Sequence, residues 1–73
     1  MAADDLVRMA NQIARFFEPY PDEEAVAGVA DHLKKFWDPR MRTEISTMSE
    51  PLREQLHPLA RRAVDRLRTE AVP

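Results

Sequence analysis

The sequence predicts an all-α fold, three to four short helices in a small orthogonal or antiparallel array. Apolar residues recur at i, i+3, i+4 and i+7 in separate stretches, the spacing that lays one stripe along a helix. Six prolines divide those stretches, and the single glycine, Gly28, leaves little capacity for hairpin turns. No run alternates apolar and polar residues over the length of a strand.

Helix one is expected over residues 5–17, with Leu6, Met9, Ala10, Ile13, Phe16 and Phe17 as its apolar stripe. Arg8, Asn11, Gln12 and Arg15 fill the other side, and Asp4 or Asp5 can cap the free N–H groups. After the break at Pro19 and Pro21, helix two is expected over 22–37, with Val26, Val29, Ala30, Leu33 and Trp37 on one face. Asp22, Glu23 and Glu24 load its first turn and Lys34 and Lys35 its last, both placements suiting the helix dipole. Asp31 and Lys35 form an i,i+4 pair on the solvent side.

Asp38-Pro39 reads as a stop and a restart, Asp as N-cap and Pro at the first helical position. Helix three, 39–48, then carries Met41, Ile45 and Met48 on one face. The stretch 46–57 is ambiguous: Pro51 interrupts it, while Leu52 and Leu56 suit a short helical turn. Pro58 lacks an N–H and fits a helix start better than a helix interior. Helix four is therefore expected over 58–69, with Leu59, Ala60, Ala63, Val64 and Leu67 as its apolar face.

At 73 residues the chain is read as one small helical unit over 1–73. A chain this short buries only about 60% of the surface its unfolded form exposes. Ordering it costs roughly 1.5 kcal/mol per residue. Without a disulfide to offset that cost, a permanent partner is one remedy.

Charge is uneven: residues 1–38 hold eight acids against four bases, and residues 39–73 hold seven arginines against five acids. The net charge of −2 lacks the dense positive field of generic nucleic-acid binding. With no cysteine, disulfides, iron–sulfur ligation, thiolate zinc sites and cysteine catalysis are excluded. The acidic opening Met1-Ala2-Ala3-Asp4-Asp5 is unlike a signal peptide, and no apolar run reaches the ~20 residues of a membrane span, so a soluble, cytoplasmic protein is expected.

Four constellations stand out. Phe16, Phe17, Tyr20, Phe36 and Trp37 pack the core where two antiparallel helices meet, or else Trp37 or Phe36 plugs a pocket on a partner. Adjacent helical residues point about 100° apart, so Phe36 and Trp37 cannot both face one narrow seam, and at least one is an interface candidate. Ala25, Gly28, His32 and Phe36 lie along one edge of helix two, where Gly28 marks either the close approach of another helix or a shallow partner groove with Phe36 at its rim. His32 and His57 fall in different segments with no zinc-site spacing and read as structural or surface residues. Arg61, Arg62, Arg66 and Arg68 on helix four form a solvated face, an acidic-partner contact or, least of all, a nucleic-acid contact. Phosphate loops and nucleophile elbows are missing, since one glycine cannot build them.

Residues 6–17 (LVRMANQIARFF) and 29–42 (VADHLKKFWDPRMR) resemble the delta subunit of the NAD-dependent, molybdenum-containing formate dehydrogenases. Pro58-Leu59-Ala60 continues the resemblance weakly, and residues 42–57 add little to it. The resemblance implies a non-catalytic accessory subunit of a soluble complex that oxidises formate to CO2 and passes electrons to NAD. Its partners would be the larger subunits, chiefly the molybdenum-containing catalytic one, with no nucleic acid and no membrane. The complex would hold bis-molybdopterin guanine dinucleotide, iron–sulfur clusters and FMN, none of them bound by this chain. Docking would support assembly, cofactor loading or stability, as a permanent subunit or a transient assembly factor. The family brings no catalytic motif to these positions. The partner-contact candidates are Phe36, Trp37, Asp38, Pro39, Arg40, Met41, Arg42 and His32. The alternative is a small helical nucleic-acid-binding or regulatory module using the Arg-rich last helix.

Overall fold

Each break in the sequence becomes a boundary in the computed structural model, which describes residues 2–71. Four α-helices follow in chain order: α1 (Ala3–Phe17), α2 (Asp22–Phe36), α3 (Pro39–Thr47) and α4 (Pro58–Ala71). A 3-10 turn at Arg53–Gln55 lies in the ambiguous stretch, after a cis Glu50–Pro51 bond. There is no strand among the described residues.

α1 begins earlier than expected, at Ala3, with Ala2 at the N-cap and no side chain capping it. Asp4 and Asp5 sit inside the first turn, where they act on the helix dipole rather than as caps. α2 ends at Phe36, because Trp37 leaves the helix with extended backbone (φ −92°, ψ 139°). Asp38 accepts the Met41 N–H at 2.9 Å and Pro39 fills the first position of α3, as the Asp-Pro pair predicts.

The core is one cluster drawn from every helix. α2 contributes Ala25, Val26, Val29, Ala30 and Leu33, and α4 contributes Leu59, Ala60, Ala63, Val64 and Leu67. α3 adds Ile45, with Met41 and Met48 half-buried beside it. On α1 the buried residues are Leu6, Val7, Ala10 and Ala14. That face is rotated from the expected stripe: Met9, Ile13 and Phe17 are half-buried and Phe16 is exposed. The apolar surface of α1 is wider than the core it meets, and its surplus half faces outward.

α2 packs on both α4 and α1. The α2–α4 seam is edged by ion pairs: Arg62 Nη1 donates to both carboxylate oxygens of Asp22 at 2.8 and 2.7 Å, Arg66 meets Glu23 at 2.5 Å, and Lys34 meets Glu70. Exposed pairs of this kind contribute at most about 1 kcal/mol each, so the seam rests mainly on its apolar contacts. Asn11, expected on the solvent side of α1, instead ties the segment before α4: its Nδ2 donates to the Gln55 carbonyl at 2.9 Å, and its Oδ1 accepts the His57 N–H at 2.7 Å. His57 Nδ1 accepts the Leu59 N–H at 3.0 Å and so caps the start of α4, while Nε2 lies 2.6 Å from Glu18 Oε2.

Candidate functional site

The outward half of α1 builds the most distinctive surface. Met9, Gln12, Ile13 and Phe16 lie along it at helical spacing and form one wall of an open groove. Phe17 closes one end, and His32 on α2 with the edge of Trp37 forms the opposite wall, enclosing about 550 Å³. No carboxylate, lysine or arginine side chain lines it. The rings continue beyond the groove: Phe16 meets Phe17 edge-on at 5.1 Å, Phe17 meets Tyr20 at 5.5 Å, and His32 meets Phe36 at 4.7 Å. Phe16 is 68% exposed, Phe36 72% and Tyr20 48%. Three large aromatic side chains left open on a 73-residue protein are notable because such residues normally anchor small cores.

Gly28 sets the shape of one end. A Cβ there would lie 2.5 Å from the Phe17 ring, closer than two carbons can approach. The glycine therefore lets the end of α1 lie against α2, the close approach its position in the helix suggested.

The expected contact residues divide in two. Trp37 is only 5% exposed and belongs to the chain's own core, whereas Phe36 beside it is open to solvent. One of the pair faces in and one faces out. Arg42 is half-buried, and its Nη1 donates to the carbonyls of Lys34 at 3.0 Å and Trp37 at 2.5 Å, closing the C-terminal end of α2. Asp38 is occupied as a cap, Pro39 is exposed as the first residue of α3, and Met41 is half-buried against the core. Arg40 is exposed and, among the described residues, has no ion-pair partner. His32 lies on the groove wall. The structure thus brings His32, Phe36 and the edge of Trp37 together with an aromatic wall on α1 that the list of candidates left out. Phe16 and Met9 carried a usable signal: they extend the stripe of α1 beyond the width one neighbour can cover.

The arginines of α4 face their own chain. Arg61 pairs with Glu50 at 3.3 Å, Arg62 and Arg66 with the first turn of α2, and Arg68 with Asp65 at 3.6 Å. Among the described residues, no three His, Cys, Asp or Glu side chains gather to hold a metal ion, and no helix is long and apolar enough to cross a membrane.

Fold and surface together define a small all-α protein whose charges are largely paired within the chain and whose aromatic face is open. The chain belongs to the NADH-dependent formate dehydrogenase delta subunit family, FdsD, whose model matches residues 5–64. The match runs through α1, α2, α3, the 3-10 turn and the first half of α4, including the 42–57 stretch where the resemblance was thin. No curated protein and no solved structure matches the chain. Membership of a family of formate dehydrogenase delta subunits implies other subunits in a complex.

Proposed function

We propose that this chain is a non-catalytic accessory subunit that docks on the molybdenum-containing catalytic subunit of a cytoplasmic formate dehydrogenase and supports its assembly, cofactor loading or stability. The observation that carries this reading is the open aromatic face of Phe16, Tyr20 and Phe36, on a chain whose family is that of a subunit. Covering Phe16 and Phe36 contributes about 2 kcal/mol each, enough to make a partner surface the preferred environment for this face.

The donor set of the chain does not fit the redox groups of such a complex. It has no thiolate for an iron–sulfur cluster and no glycine-rich turn for a dinucleotide or flavin phosphate. No step of formate oxidation is therefore derived through these residues, and the molybdenum cofactor, clusters and FMN are assigned to the larger subunits. The nucleic-acid alternative has no observation in its favour, because the α4 arginines it needs are engaged by Asp22, Glu23, Glu50 and Asp65.

The test is to produce the larger subunits with and without this chain. With it, the purified complex is expected to contain one copy per catalytic subunit. Without it, formate oxidation and molybdenum content per catalytic subunit are expected to fall together. Unchanged activity and molybdenum content, with no co-purification, would defeat the proposal. Loss of molybdenum without a copy in the mature complex would identify a transient assembly factor.

A further inference from the structure

Building on the docked-subunit reading, we propose that the groove between α1 and α2 receives one amphipathic helix of a larger subunit, with its apolar side chains in the trough and its carboxylates beside Arg15 and Arg40. The shape argues for a helix. Met9, Ile13 and Phe16 on α1 form an i, i+4, i+7 ridge, and on α2 His32 lines the opposite wall with the Phe36 ring 4.7 Å from it, one turn on, extending that side as a second ridge. Two such ridges flanking a trough are what a third helix packs into. Strand addition has no place to occur, since the described residues present no sheet edge.

Charge selects the flanks of that helix. Among the described residues, every Lys and Arg except Arg15 and Arg40 bonds a carboxylate or a backbone carbonyl of this chain. Both exceptions are exposed. Arg15 directly precedes Phe16, and Arg40 follows the Trp37 turn. Arg15 is one turn on from Gln12 of the groove wall and Arg40 three residues on from Trp37, while no carboxylate, Lys or Arg lines the trough itself, so a partner helix that is apolar along one stripe and acidic beside it is complementary to this surface. Arginine is suited to the role because its planar fork binds carboxylates with two hydrogen bonds.

The experiment uses the full chain and the purified larger subunits. A Phe16→Ser, Phe36→Ser variant changes two exposed positions, so its circular dichroism and melting are expected to match wild type while its affinity for the larger subunits falls at least tenfold. An Arg15→Glu, Arg40→Glu variant is expected to weaken binding, and wild-type affinity to fall as salt rises. A photo-crosslinking residue at Gln12 should capture a helical, Asp- or Glu-bearing segment of a larger subunit. Folded variants that bind as wild type does, or a Gln12 crosslink to a second copy of this chain, would overturn the groove assignment alone. Failure of the wild-type chain to bind at all would overturn the docked-subunit reading and the groove assignment with it.

Discussion

At Gly28 two opposing effects meet in one residue. Glycine inside a helix costs about 1 kcal/mol relative to alanine. Here the missing Cβ leaves the space that the Phe17 ring occupies, with three ring atoms within 3 Å of where it would be. Overpacking of that kind typically costs about 1–3 kcal/mol. Gly28→Ala is therefore expected to destabilise the chain by about 1 kcal/mol despite its better helix propensity. In a Phe17→Ala background the obstruction is gone, and the same change is expected to stabilise by about 1 kcal/mol. A double-mutant cycle by urea unfolding measures the coupling, and equal effects in both backgrounds would refute it. Gly28 was legible in the sequence as a point of close approach. The residue that approaches it was not, because Phe17 lies eleven positions away on another helix whose rotation only packing decides.

The helices themselves follow closely from sequence, since proline placement and capping chemistry are local. Pro58 opens α4, and Asp38-Pro39 separates α2 from α3. For α3, nine residues long with a single fully buried side chain, Ile45, the Asp38 cap is a large share of what holds its start. Asp38→Ala is expected to cost about 1 kcal/mol. The Met41 amide, released from the carboxylate, should then exchange with solvent several-fold faster in hydrogen-exchange measurements. What the sequence does not disclose is which half of a broad apolar stripe is buried. On α1 the residues Leu6, Val7, Ala10 and Ala14 face the core, while Met9, Ile13 and Phe16 form the groove wall. Periodicity finds both halves without ranking them. Trp37, which its spacing placed on the core stripe of helix two, is buried there although it has left the helix and its side chain no longer follows the 100° step.

Across the whole molecule, the acidic first half and the arginine-rich second half are paired with each other. Asp22 and Glu23 hold Arg62 and Arg66, and Glu18 holds His57. The charge imbalance was plain in the sequence. Its destination was not, because the partners lie about 40 residues apart. These pairs are exposed and each is worth little, so Arg62→Ala with Arg66→Ala is expected to cost no more than about 2 kcal/mol in a thermal melt. A larger loss would mean that the seam depends on charge more than on its buried Val and Ala contacts. The buried face of α4, with Ala60, Ala63, Val64 and Leu67, is held chiefly by the apolar side chains of α2, and these pairs only edge that seam. A backbone cut between Ser49 and Arg53 would accordingly leave two polypeptides clasped as one particle, and α4 could be supplied to the rest of the protein as a separate peptide.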